Sequence, residues 1–435
     1  MSPLEISFIG VLAVLALMAL RVPIGLALGL VSIVGLAAIR GWDAAYAAVR
    51  SEPFDIAAKF ELSAIPMFIL MGAFAHHGGL SAALFRAARL WLGNLPGGLA
   101  VATNFACAGF AAASGASVAT AAAMGRIAIP EMLRAGYDRG LATGVVAAGG
   151  TLGIMIPPSI GFVLYGIFAQ VSISKLLIAG ILPGILTAVV YACMIVIRCT
   201  IDPSLAPRDP NPPDRSQRFV ALVGIWPLLF LILAVIGGIY AGVATPTEAG
   251  AIGALVALVI AVGQRRMTWS LFADSVTEAV STTARIFFIV VGAVLFSKFL
   301  ALAGTAPFLT SLVSRYITGP VPLILAASAL FIVLGMFLDA LGLMLLTLPI
   351  LIPLFSAAKM DLIWFGVLTI KFIEIGLITP PVGMNVYVIK SVVGKEISLE
   401  AIFKGIGWFL VCEAIITTLL IVFPQISLFL PQLMG

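Results

Sequence analysis

The sequence predicts an all-α polytopic membrane protein with an inverted repeat, each half holding one re-entrant helical hairpin and one discontinuous helix. Three observations carry this. Of 435 residues, 62% are apolar and 10% charged, whereas roughly a quarter of a soluble domain is charged. About ten apolar stretches with short polar breaks are each long enough for a hydrocarbon core roughly 30 Å thick. Finally, GTLGIMIPPSIGFVLY (Gly150 to Tyr165) has a partner in GLITPPVGMNVY (Gly376 to Tyr387): Gly153, Pro157 and Pro158 recur as Gly376, Pro380 and Pro381, all displaced by 223 positions. Ile129-Pro130 recurs at the same displacement as Ile352-Pro353. Backbone groups in lipid must pair within the protein, and the alternation of barrel strands is missing, so the spans are helices.

The first span starts at once in MSPLEISFIGV, with neither a basic leader nor a small-residue cleavage site, and is expected to be retained. A net charge of +5 does not indicate nucleic acid, because the basic residues sit in short loops between apolar runs and report orientation instead. Arg21, Arg86, Arg89, Arg126, Arg134, Arg139, the stretch from Arg198 to Arg218, Arg265, Arg266, Lys390, Lys395 and Lys404 are compatible with one cytoplasmic side, which puts both termini outside. Arg40, Arg50, Lys59 and Arg315 go against that trend. Cys107, Cys193, Cys199 and Cys412 lie in or beside apolar runs without ligand spacing, and read as packing residues.

Residues 1–95 are scaffold helices and an arm. Residues 4–39 form two helices joined at Arg21 to Ile24, followed by a loop containing Trp42 and Asp43 and a span from about Leu62 to Ala75. His76 and His77 end that span before Gly78-Gly79; adjacent histidines on a helix cannot face one metal, so they read as helix-end residues. SAALFRAARLWLGNL (Ser81 to Leu95) spaces arginines among Leu, Phe and Trp as an interfacial amphipathic arm does. Residues 96–199 form the first half of a transport unit. Within it, 96–126 is rich in Ala, Gly and Ser, with flanks too short to cross, and predicts a hairpin entering from the cytoplasmic side. The basic loop from Arg126 to Gly140, the interrupted helix 140–169 and a span ending near Arg198 follow.

The polar, Pro-rich stretch 200–218 is a cytoplasmic linker. Residues 219–319 hold further scaffold helices, an interfacial segment from Thr268 to Val280, a helix from about Thr282 to Leu302, and a second arm from Gly304 to Tyr316. In 320–435, residues 320–357 are long enough for two full spans, but the repeat favours a second hairpin with Asp339 to Gly342 at its tip, entering from the outer side. A broken helix over 362–390 and a last helix to about Phe423 complete the second half.

Two successive prolines end a helix and leave carbonyls without partners, which in lipid cost several kcal/mol each unless they line a hydrated cavity. Freed carbonyls are hard oxygen ligands suited to a small alkali cation, so two breaks and two hairpin tips predict two cation sites, with the Thr379 and Ser159 hydroxyls adjoining. Helix-kinking prolines are the plainer alternative, and the duplication argues against it. Ser114, Ser117 and Thr120 are either tip ligands or small residues for close helix contact. Asp339, deep in an apolar run, reads as part of the ion or substrate site ahead of a capping role. Lys371 and Glu374 share a helix face and neutralise each other; Thr245 and Glu248 have capping-box spacing; Arg285 and Lys298 lie near span ends and snorkel.

SGASVATAAAMG, IPEM, GGTLGIMIPPSIG, YAGVATPTEAGA, FLD and GLITPPVGMN, in this order over essentially the whole chain, resemble the large membrane subunit of a tripartite ATP-independent periplasmic (TRAP) transporter. The resemblance implies an ion-transporter superfamily fold of elevator type in a bacterial inner membrane, coupling to sodium ions, no cofactor, and an organic acid (carboxylate) substrate. It implies two partners: a small four-helix membrane subunit, expected as a separate polypeptide because no additional N-terminal helices are present, and a periplasmic solute-binding protein. Carried over by motif, one sodium site falls on Ser114, Gly115, Ser117, Gly150, Thr151, Pro157 and Pro158, and the other on Asp339, Gly342, Thr379, Pro380 and Gly383. The substrate lies between them, with Ser114, Ser159 and Asn385 assigned to it. Leu341 and Gly342 stand where relatives often have a hydroxyl residue.

Competing classes fit less well. An intramembrane aspartyl protease needs two facing aspartates, and only Asp339 is deep; HExxH and GxSxG strings are missing, as is a nucleotide-binding motif. A passive channel has no need for paired breaks and amphipathic arms. A proton-coupled organic-anion transporter working without a binding protein is the nearest alternative.

Overall fold

The computed structural model describes residues 1–207, 215–316 and 319–434, which contain helices and no strand. Residues 208–214 of the expected linker lie outside the described residues. Among the described residues, six helices are long and apolar enough to cross a membrane, or up to eight if each of two bent pairs is one span. That is fewer than the apolar stretches suggest, because several stretches form helices of 16 or 17 residues or the arms of hairpins.

Helices α1 (Pro3–Ala19) and α2 (Ile24–Arg40) meet at the expected joint, and Ser2 with Glu5 closes a capping box on α1. The expected loop at Trp42 is instead α3 (Trp42–Ala57). Its charged residues and Pro53 conceal it from a search by apolarity, yet Ala45, Ala48 and Ile56 are buried along one side. Helices α4 (Ala64–His77) and α5 (Leu80–Leu92) are separated by Gly78-Gly79 as expected.

The first hairpin comprises α6 (Gly98–Ser114) and α7 (Ser117–Arg134). Its second arm passes the expected limit at 126, since Pro130 is accommodated within the helix, so the loop to Gly140 is shorter than expected. The first broken helix is α8 (Arg139–Met155) and α9 (Ile160–Ala169), bent by 42°. Then come α10 (Ile173–Ala179), α11 (Ile181–Ile201), α12 (Arg215–Gly224), α13 (Trp226–Ile232), α14 (Gly238–Tyr240) and α15 (Pro246–Gly263), with the Thr245–Glu248 capping box in place on the last.

The separate interfacial segment and span expected over 268–302 are one continuous helix, α16 (Trp269–Leu302), because nothing around Ser281 to Thr283 breaks it. Helix α17 (Thr305–Tyr316) covers the segment expected as a second arm. The second hairpin is α18 (Pro320–Gly335) and α19 (Ala340–Ala357), and the second broken helix α20 (Leu362–Ile378) and α21 (Met384–Val393). Helix α22 (Leu399–Val422) is not the last: after Pro424 the chain forms α23 (Gln425–Leu433).

The repeat holds at the level of helix ends. Helices α7 and α19 start at Ser117 and Ala340 and stop at Arg134 and Ala357, and α8 and α20 run over 139–155 and 362–378, every end displaced by 223 positions. The cause is local chemistry used twice. Asp138 accepts the Leu141 N–H at 2.8 Å to start α8, Asp361 accepts those of Ile363 and Trp364 to start α20, and a Pro-Pro pair stops each.

Helix α8 is the centre of the molecule. Every residue from Gly140 to Met155 is buried, and it packs on α6, α7, α20 and α22. Lipid tails are as apolar as leucine, so close van der Waals contact between backbones holds such helices together. A Cβ placed on Gly144 would lie 2.7 Å from the Gly405 carbonyl carbon, so α8 and α22 touch backbone to backbone.

Candidate functional site

Each Pro-Pro pair forms a kinked, non-helical passage whose amide is cis, at Pro157-Pro158 and Pro380-Pro381. Each passage is joined to the tip of its own hairpin by a backbone hydrogen bond. Ile160 N–H donates to Gly115 O at 3.3 Å, and Gly383 N–H donates to Met336 O at 3.2 Å. The donors are 223 positions apart and the acceptors 221, so tip and break are joined at nearly the same place in both halves.

At the first tip only Gly115 and Ala116 separate α6 from α7. Gly115 has φ +63°, and a Cβ there would stand 2.6 Å from Pro158 O, so the turn and the approach to the break both require glycine. Thr120 Oγ1 donates to Ala116 O at 2.9 Å, which makes Ser114 the donor in the 2.7 Å contact between the two hydroxyls. Ser117 and Asn385 bond reciprocally: Ser117 Oγ donates to Asn385 Oδ1 at 3.1 Å, and Asn385 Nδ2 donates to Ser117 Oγ at 2.8 Å and to Ala147 O at 3.2 Å. Asn385, grouped above with the substrate, thus ties the first tip to the second broken helix. A pairing across 268 positions leaves no signal in spacing.

The hydroxyls at the breaks are turned onto helix carbonyls. Thr151 donates to Ala148 O at 2.7 Å, Thr379 to Ile375 O at 2.6 Å, and Ser159 to Ile154 O at 2.5 Å while capping α9. Their lone pairs remain as acceptors. Gly150 lies against Ala121 of α7. In the second half, Leu377 O and Thr379 O both lie 3.2 Å from where a Gly383 Cβ would be, and Gly383 has φ +61°.

Asp339 sits at the N-terminus of α19, where its Oδ2 accepts the Gly342 N–H at 3.1 Å. The capping role is thus present; its other carboxylate oxygen adds negative charge at the second tip. Its counterpart in the repeat, 223 positions earlier, is Ala116, so the two tips differ in charge. Among the described residues no group of three or more His, Cys, Asp or Glu is placed to hold a metal ion, and His77 is taken up by Ser275 at 2.8 Å. A cavity of about 390 Å³ lies apart from both tips, between α3, the end of α9 and α16; on its wall Lys298 pairs with Glu52 at 2.6 Å, where snorkelling was expected.

Buried charge is found elsewhere in the second half. Lys371 pairs with Glu374 at 2.8 Å as the spacing predicts, but also with Glu413 of α22 at 2.9 Å. All three are fully buried.

A model of the family described as the tripartite ATP-independent periplasmic transporter, DctM component, matches residues 11–426. The chain belongs to that family. The DctM-family chain is 35% identical over 385 residues to a C4-dicarboxylate TRAP transporter large permease protein of Pseudomonas aeruginosa, covering 88% of each. It is 34% identical over 379 residues to an isethionate TRAP transporter permease protein, DctMQ, of Oleidesulfovibrio alaskensis, covering 86% of this chain and 59% of that longer protein. With a 2,3-diketo-L-gulonate TRAP transporter large permease protein of Escherichia coli the identity is 33%, over 86% of each. The fold matches that of the Alcanivorax borkumensis YdaH transporter with a TM-score of 0.60 at 14% identity, covering 88% and 90% of the two chains. This DctM-family chain is thus a transporter permease subunit, multi-pass in the bacterial inner membrane, and not an enzyme.

Asn385→Ala leaves the Ser117 hydroxyl buried without its partner, and Ser117→Ala leaves Asn385 with Ala147 O alone, a loss of about 1–3 kcal/mol in either case. Ser117→Ala and Asn385→Ala are each expected to slow transport roughly tenfold or more. The double variant is expected to be little worse than either, the signature of a direct bond. Losses that add in full across a double-mutant cycle of uptake rates would show that the two act separately.

Proposed function

We propose that the chain is the permease subunit of a sodium-coupled, binding-protein-dependent importer of a small organic acid, working by elevator alternating access. The observation that carries this reading is the repeated union of a hairpin tip with a broken helix. Each union gathers backbone carbonyls and hydroxyl lone pairs, oxygen ligands of the kind a hard monovalent cation takes. Ser114, Gly115, Ser117, Gly150, Thr151, Pro157 and Pro158 would form one sodium site, and Asp339, Gly342, Thr379, Pro380 and Gly383 the other. The first tip and α21, joined through Asn385, make one unit that would move as a body, with substrate held near Ser114 and Ser159.

The names of the relatives support the substrate class: C4-dicarboxylate, isethionate and 2,3-diketo-L-gulonate are all organic anions. The family's tripartite description supports a periplasmic solute-binding protein and a small membrane subunit as partners. The match covers 59% of the longer DctMQ relative.

Uptake of a radiolabelled C4-dicarboxylate into proteoliposomes holding this chain and its small subunit is expected to require both the binding protein and an inward sodium gradient. Uptake indifferent to sodium would overturn the coupling, and uptake undiminished without the binding protein would overturn the partnership. Asp339 separates charge from capping. Asp339→Asn keeps an acceptor for the Gly342 N–H and is expected to weaken sodium dependence with protein yield preserved, whereas Asp339→Ala loses the cap as well, worth about 1 kcal/mol. Unchanged sodium dependence in Asp339→Asn would remove the residue from the site.

A further inference from the structure

We propose that the Lys371, Glu374 and Glu413 cluster is a proton-binding site, the two carboxylates holding one proton between them beside the Lys371 ammonium. The cluster lies where α20 meets α11 and α22, apart from the tips and breaks, and the transport reading above does not use it. Lys371, Glu374 and Glu413 are each 0% exposed. Lys371 Nζ donates to Glu374 Oε2 at 2.8 Å, to Glu413 Oε1 at 3.0 Å and to Thr187 Oγ1 at 3.0 Å, which uses all three ammonium protons. The Tyr191 hydroxyl donates to Glu413 Oε1 as well.

The charges do not balance. Two carboxylates face one ammonium, and the other titratable groups acting on the cluster, Tyr191 and Cys412, are neutral acids in their ordinary state. If both glutamates are ionised, one negative charge stands uncompensated in the interior, the costliest state for a buried group. The hydrogen bonds do not balance either. Glu374 Oε1 and Glu413 Oε2 are buried without hydrogen-bond partners, although Glu413 Oε2 stands 2.9 Å from Lys371 Nζ. Of the two, Glu374 Oε1 has no cation against it and is the oxygen left for a proton. One proton taken from the aqueous phase turns one carboxylate into a carboxylic acid and leaves one ammonium against one carboxylate. Glu374 accepts from Lys371 alone, whereas Glu413 also accepts from Tyr191, so Glu413 is the better stabilised anion and Glu374 the acid.

Infrared spectroscopy of the whole permease with its small subunit in lipid nanodiscs tests this. The protein is labelled with ¹³C at the glutamate side-chain carboxyl. Among the described residues Glu374 and Glu413 are the only buried glutamates, so the label identifies the pair without mutation. At neutral pH the wild type is expected to show the carbonyl stretch of a protonated acid, shifted both by the label and by D₂O. Glu374→Gln, which has the shape of the acid, is expected to remove the band. A spectrum lacking a label-sensitive acid band in the wild type would overturn the proposal. So would a band that persists undiminished in both Glu374→Gln and Glu413→Gln. This readout contains no transport step, so its failure is distinct from failure of the sodium reading.

Discussion

Lys371→Met is expected to lose about 3–5 kcal/mol of stability, the cost of breaking a buried ion pair from one side. Methionine fills similar space but leaves Glu374 and Glu413 together in the interior with no cation, and only Glu413 keeps the Tyr191 hydroxyl. Thermal unfolding followed by tryptophan fluorescence in detergent should show a much lower midpoint and a poor yield. Glu374→Gln is the contrast. It keeps Lys371 paired with Glu413 and is expected to unfold close to the wild type. A Lys371→Met protein with an unchanged midpoint would mean that the ammonium does not hold α20 to α22.

The same cluster shows where sequence reasoning stops. Lys371 and Glu374 are three apart on one helix, so their pairing is legible from helical geometry. Glu413 is 42 positions further on, in another helix, and an isolated glutamate in an apolar run announces a partner without saying which. Asn385 and Ser117 repeat the lesson over a longer separation. Local chemistry, by contrast, was readable. Pro157-Pro158 and Pro380-Pro381 stop helices wherever they occur, Asp138 and Asp361 start them, and the displacement of 223 positions carried over to the ends of α7, α8, α19 and α20. Missed elements share one cause. Helices α3 and α23 are short or polar, and a search for apolar spans passes over a helix whose burial comes from its neighbours. In α16 the converse holds: the character changes from amphipathic to apolar along its length, yet a helix continues through such a change unless its backbone is interrupted.

Gly405→Ala carries the second large effect, and its neighbour supplies the control. A Cβ on Gly405 would fall onto the backbone carbonyl of Gly140 and lie 2.8 Å from the Gly140 Cα. Backbone cannot rotate aside as a side chain does, so α22 must move off α8, a strain of about 1–3 kcal/mol. The displacement reaches function at both ends of the contact. Helix α8 carries Gly150, Gly153 and Thr151 at the first break, and α22 carries Glu413, whose bond to Lys371 would be stretched. Gly407 stands two residues on, where a Cβ meets nothing within 4 Å. There alanine adds helix propensity of up to about 1 kcal/mol and takes nothing away. Gly405→Ala is therefore expected to lower both the unfolding midpoint and the uptake rate, while Gly407→Ala leaves uptake intact and holds or raises the midpoint. Equal losses in the two would show that α22 resists any added bulk, and that its contact with Gly140 has no special part in setting the position of the first break.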